Sequence, residues 1–234
     1  MKLAIIIPAY NEAKTIEYVI SNIPTTIPNI DEIIPIVIDD GSIDDTTDIV
    51  KNLNIENIIS HDFNQGLGVS FSVGIRKAIE LDVDYVVNLD ADGQHSPFDI
   101  LRFVDCLISN DADLVLGSRF LNSKSLKMPF IKRIGNRFFS SLLTFILNIK
   151  ITDATSGYRA YSKRVLSILT VQSSFSYTLE SLLSILHNTE FLYIEIPINV
   201  SSRDGKSRIV KNWFDYGIKG ITIIGKTLYR HYFQ

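Results

Sequence analysis

An α/β fold with a mostly parallel central sheet flanked by helices is what this 234-residue sequence predicts, on three observations. Short β-branched runs alternate with amphipathic stretches through the first half, the pattern of strands covered on both faces by crossover helices. Each run ends in a polar cluster, as strands do where they emerge at a ligand-binding edge. Hydrophobic residues make up 46% of the chain, enough for one sizeable core, and no repeat or low-complexity linker divides it. One domain, 1–234, is expected, with halves 1–118 and 119–234 of different character.

Residues 3–8, with Ile5-Ile6-Ile7 ahead of Pro8, read as the first strand. The charged and apolar start looks like a signal peptide, but Asn11, Glu12 and Lys14 follow at once with no small-residue cleavage site. Helices over 14–23, 45–53, 68–80 and 97–110 then alternate with strands over 33–38, 55–60, 85–89 and 114–117. The polar clusters lie at Tyr10-Asn11-Glu12, Asp39-Asp40-Gly41-Ser42, 61–68 and 90–96, and are expected to share one crevice. In the second half, 132–149 and 175–187 read as helices, 191–200 as a strand and 211–232 as a terminal helix. The uncharged run 138–149 is shorter than the roughly 20 residues a membrane span needs, so no transmembrane helix is expected. A single cysteine, Cys106, forms no internal disulfide and makes the cytoplasm the default compartment.

The net charge of -3 hides an asymmetry. Residues 1–118 carry 6 Lys+Arg against 20 Asp+Glu, or -14, and residues 119–234 carry 17 against 6, or +11. Either one half holds a cation while the other meets an anion, or the two are solvated faces of opposite sign. Asp90-Ala91-Asp92 follows directly on the hydrophobic run 85–89, and two carboxylates held that close call for a cation. Their oxygens and that of Gln94 suit Mg²⁺ or Mn²⁺, which retain open positions for a diphosphate. A solvated turn explains an arbitrary Asp-x-Asp; the strand end, Gly93 and Gln94 favour the metal here. His95 reads as a polar loop residue. Ser42 or Asp44 can cap the next helix, but capping does not account for both Asp39 and Asp40, one of which is left for a base or ribose. Asn64-Gln65-Gly66-Leu67-Gly68 opens a helix whose N–H groups could face an anion, a weak signal.

These motifs together resemble the family 2 glycosyltransferases with a GT-A fold, and among them the dolichol-phosphate mannosyltransferase and polyprenyl-phosphate group. The resemblance rests on residues 7–12, 39–42, 90–95, Gly117-Ser118-Arg119, 153–159 and 203–208, in that order. It implies an inverting, metal-dependent hexosyltransferase that takes mannose from GDP-mannose, or another sugar from a UDP-sugar, to a polyprenyl or dolichyl phosphate. It further implies that Pro8, Tyr10, Glu12 and Asp40, with Ile38 and Asp39 beside them, contact the nucleoside. Asp90, Ala91 and Asp92 would bind the donor, with Asp90, Asp92 and Gln94 holding the metal. Arg119 would sit where donor and acceptor phosphates meet, Lys132 and Asn136 would contact the acceptor phosphate, and Arg203 and Arg208 would close over the donor. Asp92 and Arg119 are thus the expected catalytic pair. Gln65, where a basic residue is common, and Ser96, where proline is frequent, depart from the pattern.

Residues 119–164 contain ten basic side chains and one acid, Asp153, beside the apolar segment 138–147, a composition suited to a lipid phosphate or to a buried core helix. Aromatic and basic residues interleave from Trp213 to Phe233, as at a membrane interface or a dimer surface. Peripheral association with the cytoplasmic face of a membrane, or with a membrane-protein partner, is the expectation, with no nucleic acid involved. A phosphate acceptor is already largely ionised at neutral pH and needs no general base, unlike a sugar hydroxyl. Transfer to a saccharide hydroxyl, with Glu180 as base, is the alternative. The 203–208 motif and the basic second half argue against a receiver-like signalling domain, and the presence of all the metal ligands and flanking arginines argues against a silent nucleotide-binding module.

Overall fold

The computed structural model describes residues 1–121, 128–201 and 213–233, without the side chains of 213, 214, 232 and 233. Its centre is a seven-stranded sheet in the order β3-β2-β1-β4-β6-β5-β7, formed by Lys2–Ala9 (β1), Glu32–Asp39 (β2), Asn57–Ser60 (β3), Tyr85–Asn88 (β4), Leu114–Ser118 (β5), Arg159–Ser162 (β6) and Tyr193–Pro197 (β7). All pairings are parallel except those of β6, which runs antiparallel to both β4 and β5. The helices are Ile16–Ser21 (α1), Thr46–Asn52 (α2), Leu67–Glu80 (α3), Ile100–Asn110 (α4, after a single 3-10 turn at Pro97–Asp99), Phe130–Leu147 (α5), Lys163–Leu166 (α6), Thr178–Leu186 (α7) and Trp213–Phe233 (α8).

Every strand and helix expected in the first half forms, within a few residues at each end. The period-two alternation decides which layer each strand residue enters. In β1, Leu3, Ile5 and Ile7 join a core with Val19, Phe103 and Val104 of α1 and α4. Ala4 and Ile6 turn the other way, to Phe71 and Ile75 of α3 and Leu182 and Leu183 of α7. Two apolar layers therefore clamp the sheet, and its polar strand ends face out at one edge.

β6 is the element the sequence does not announce. Its four residues, Arg-Ala-Tyr-Ser, carry no β-branched run, yet all are buried. Arg159 is fully buried and donates from Nε to the Ser156 carbonyl at 2.9 Å, from Nη1 to the Thr178 carbonyl at 2.8 Å and Ser181 Oγ at 2.7 Å, and from Nη2 to the Ala154 carbonyl at 2.9 Å. One guanidinium thus ties the turn before β6 to α7.

Candidate active site

The backbone of the 91–94 turn is held from below. Thr15 Oγ1 donates to the Ala91 carbonyl at 2.8 Å, and Gln94 donates to Asp92 from its backbone N–H at 3.0 Å and from Nε2 at 2.7 Å. Asp90 and Asp92 are partly exposed at the end of β4, while Ala91 is buried. Beneath them Asn88 Nδ2 donates to the Tyr177 hydroxyl at 2.7 Å and to the Gly157 carbonyl at 3.1 Å. Tyr177, stacked on Phe71 with centroids 3.9 Å apart, donates to the same carbonyl at 2.9 Å. Burial first, and then the charge of Asp90, raise the Tyr177 pKa well above its ordinary value, so the phenol stays a neutral donor.

A cavity opens over this platform. It is lined by Asp90, Asp92, Gln94 and His95 from the end of β4, by Arg119 just past β5, by Lys132 and Asn136 of α5, by Thr155 and Gly157, and by Tyr216 of α8. A Cβ on Gly157 would lie 2.7 Å from the Tyr177 hydroxyl and 3.1 and 3.4 Å from the two Asp90 oxygens. The glycine leaves the hollow in which Asp90 sits. Two carboxylates with one neutral amide oxygen nearby, and space beside them, suit a hard divalent cation that also takes phosphate and water ligands. Among the described residues no cluster of three or more His, Cys, Asp or Glu could hold a metal, so such a cation needs donors beyond the protein carboxylates.

Arg119 is fixed along one edge. Its Nε and Nη2 donate to Asp153 at 2.6 and 2.7 Å, its backbone N–H donates to Asp153 at 3.0 Å, and Nη2 also donates to Thr155 Oγ1 at 2.8 Å. Burial opposes the charge of Arg119, but the charge and hydrogen bonds of fully buried Asp153 outweigh it and raise the pKa. Asp153 is a residue whose role sequence reasoning missed, although it was visible as the one acid among ten bases. His95 departs from the polar loop role expected of it. It is 6% exposed, packs 5.1 Å from the Tyr158 ring, and its Nδ1 has no partner among the described residues; burial lowers its pKa to about 4 despite the charge of Asp92.

The clusters at the ends of β1 and β2 lie outside the lining of this cavity. Pro8 and Ile38 are paired in register, and the loops beyond them are laced together: Asn11 N–H to Ser42 Oγ at 2.9 Å, Glu12 N–H to Thr46 Oγ1 at 2.8 Å, and Ile43 N–H to Asn11 Oδ1 at 2.8 Å. Tyr10 and Glu12 are partly exposed there. Asp40 accepts four hydrogen bonds from the 61–66 loop, from His61 Nδ1, Gln65 N–H, Asn64 Nδ2 and Gly66 N–H, at 2.8–2.9 Å. Its acceptor sites are filled by protein. Asp39 accepts one bond at each oxygen, from Ser42 N–H at 3.1 Å and from the Thr47 hydroxyl, and so keeps capacity for a ligand. Asp40 is thus taken up in holding the loop, and Asp39 is the one of the pair with room for a base or ribose.

Other expectations need correction. The N-terminus of α3 packs on the 173–174 turn, where Gly68 N–H donates to the Ser174 carbonyl at 3.1 Å, so it is no open anion site. The ten basic residues of 119–164 do not form one patch: Arg159 is buried, Arg119 pairs with Asp153, Lys163 with Asp82, and Arg164 with Asp111 and Asp113. Lys124 and Lys127, like Arg203 and Arg208, lie outside the described residues. Glu180 is buried, accepts the Ser173 N–H at 2.9 Å, pairs with Arg230 of α8, and does not line the cavity. Asn136 is 3% exposed, and its amide is engaged by Thr155 and the Thr152 carbonyl.

Comparison with known proteins fits this geometry. The family described as Glycosyl transferase family 2 matches residues 4–170. The chain is 40% identical over 186 residues to the UDP-N-acetylglucosamine–dolichyl-phosphate N-acetylglucosaminyltransferase of Methanococcus voltae, covering 72% of each chain. It is 28% identical to the undecaprenyl-phosphate mannosyltransferase of Micrococcus luteus, over 97% of this chain and 93% of that one. In fold it is similar to the glucosyl-3-phosphoglycerate synthase of Mycobacterium tuberculosis, crystallised with Mn²⁺, UDP and phosphoglyceric acid. There the TM-score is 0.71 at 20% identity, over 98% of this chain and 78% of that one. The protein is an enzyme of glycosyltransferase family 2 with a GT-A fold, related to the transferases of dolichyl and polyprenyl phosphates.

Proposed function

We propose that this enzyme moves a hexose from a nucleotide-sugar to a polyprenyl or dolichyl phosphate, by a single displacement that inverts the anomeric carbon. One observation carries the reading. The cavity is lined by two cations, Arg119 and Lys132, and by no carboxylate other than Asp90 and Asp92 among the described residues. A sugar hydroxyl would need a base there, and among the described residues none is poised for it: Asp153 is bound to Arg119, Glu180 to Arg230, and burial holds the pKa of cavity-lining His95 down to about 4, which makes it a poor proton acceptor. A phosphate monoester arrives ionised, its second pKa being about 6, and needs only to be neutralised and aimed.

In this reading Asp90, Asp92 and the Gln94 side-chain oxygen would hold Mg²⁺ or Mn²⁺ with the donor diphosphate. A bound divalent ion supplies Lewis-acid stabilisation of the leaving nucleoside diphosphate. Pro8, Tyr10, Glu12, Ile38 and Asp39 receive the nucleoside, with Asp40 shaping the loop beside it. Arg119 and Lys132 position the acceptor phosphate, and Arg203 and Arg208 complete the donor site. The resemblance favours GDP-mannose as donor, whereas the name of the 40% identical relative favours UDP-N-acetylglucosamine.

No helix among the described residues is long and apolar enough to cross a membrane. α5 instead buries Phe139, Ser140 and Leu143 on one face and exposes Ile131, Ile134, Phe138 and Phe145 on another, with no acidic residue along it. α8 exposes Ile218, Ile221 and Tyr229. An apolar stripe beside Arg133 and Arg137 suits an anionic lipid surface, which would bring the cavity to a membrane-borne acceptor. The test is a screen of both donors with Mg²⁺ or Mn²⁺ against a short polyprenyl phosphate and a saccharide. Lipid-linked sugar is expected; transfer to the saccharide alone, or hydrolysis alone, contradicts the reading.

A further inference from the structure

The guanidinium of Arg119 has five N–H donors, and the structure accounts for three of them. Nε–H and one Nη2–H go to Asp153, and the second Nη2–H goes to Thr155 Oγ1. The two Nη1–H groups have no partner among the described residues, on a side chain that is 18% exposed and lines the cavity. One edge of the fork is held and the other is left for a ligand.

The direction of that edge is set from α5. The Thr155 hydroxyl has one proton, and it goes to Asn136 Oδ1 at 2.9 Å. Its lone pairs must then face Arg119 Nη2. Asn136 is itself held: Oδ1 also accepts the Thr155 N–H at 3.1 Å, and Nδ2 donates to the Thr152 carbonyl at 3.2 Å. Asn136 lies one turn after Lys132 on α5, so the two side chains share a helix face. The same helix therefore supplies one cation directly and fixes the orientation of the other through a hydroxyl.

We propose that Thr155 and Asn136 are positioning residues that aim the Nη1 edge of Arg119 at the acceptor phosphate, with Asn136 acting through Thr155 and not by touching the phosphate. This rests on the phosphate-acceptor reading above. It differs from the role the resemblance implies for Asn136, a direct contact. A donor held by an oriented hydroxyl is pre-organised, and misorienting it weakens binding of the ligand that uses the other edge.

Thr155→Val keeps the shape and the backbone N–H to Asn136 while removing the hydroxyl. Calorimetric titration with a short polyprenyl phosphate, and separately with inorganic phosphate, is expected to show affinity about ten-fold weaker, the size expected when one hydrogen bond to a charged group is lost. The donor KM should stay within about two-fold of the wild type, and Thr155→Ser should restore the affinity. Asn136→Ala should weaken phosphate binding similarly, and the double variant no further, since the two act in series. Unchanged phosphate affinity in Thr155→Val, failure of Ser to rescue, or additive losses would overturn the proposal. A merely structural role for the hydroxyl would lower Tm and raise the donor KM together, which also counts against it. The wild-type arms separate the two claims. Binding of phosphate with no transfer to the lipid contradicts the proposed function while the variants still test the relay, and no phosphate binding by the wild type defeats both.

Discussion

Gly157 shows how tightly a single position can govern the site. A methyl group there would meet the Tyr177 hydroxyl and both oxygens of Asp90, so Gly157→Ala should move the carboxylate without filling any void in the core. We expect transfer to fall at least about ten-fold, the effect of a misplacement well under 1 Å, and Tm to drop by a few degrees as the buried Tyr177 hydroxyl is displaced. Rate measurements beside a thermal melt check this. Asp92→Asn leaves the same volume but removes a charge from the cation site. Transfer should drop at least about 100-fold, the loss expected when metal stabilisation of the leaving group is weakened by several kcal/mol. Chelation of the metal should abolish turnover in the wild type, and Mg²⁺ or Mn²⁺ should restore it. Asp90 and Asp92 were legible in the sequence because a hydrophobic run led straight to them. The roles of Asp153 and Thr155 were not, although the 153–159 stretch stood out. Their work is to hold Arg119, and no local pattern marks a residue whose partner is 34 or 36 positions away.

At the scale of elements, periodicity carried every parallel strand, because each is an apolar run between turns. It missed β6, whose burial is long-range: Arg159 faces main-chain carbonyls on both the preceding turn and α7. A sequence reader sees an arginine and assigns it to a surface patch. Replacing it with Met should leave the Ala154 and Ser156 carbonyls without donors, at about 1–3 kcal/mol for each that stays unsatisfied, while the Thr178 carbonyl keeps the Ser181 hydroxyl. Urea unfolding of Arg159→Met should therefore show a loss of several kcal/mol, and a loss under 1 kcal/mol would mean that the staple is redundant. The junction of α3 with the 173–174 turn, only a weak anion signal in the sequence, has a similarly long-range origin. A Cβ on Gly68 would lie 1.7 Å from the Ser173 carbonyl oxygen, so the glycine serves close packing where a helix start suggested an anion site.

Across the whole molecule, the charge asymmetry resolves into two different arrangements. The acidic half places Asp39 and Asp40 at the end of β2 and Asp90 and Asp92 at the end of β4, and much of that charge is occupied in holding loops. The basic half spends Arg119, Arg159, Lys163 and Arg164 on internal partners. On α5, Lys132 lines the cavity, and Arg133 and Arg137 lie beside the exposed apolar stripe. Phe138→Ser with Phe145→Ser should reduce co-sedimentation with anionic vesicles several-fold, while transfer to a short, water-soluble polyprenyl phosphate is kept. Equal loss of both would place the stripe in folding and not in lipid contact.

The central claim is that the acceptor is a phosphate that reacts without a protein base. Its most direct test is the pH dependence of kcat/KM for a short polyprenyl phosphate at saturating donor and metal, with the anomeric configuration of the product read by NMR. The account predicts a rise that follows the second ionisation of the acceptor, near pH 6, then a plateau, and an inverted product. A retained configuration, or activity confined to saccharide acceptors, would contradict it.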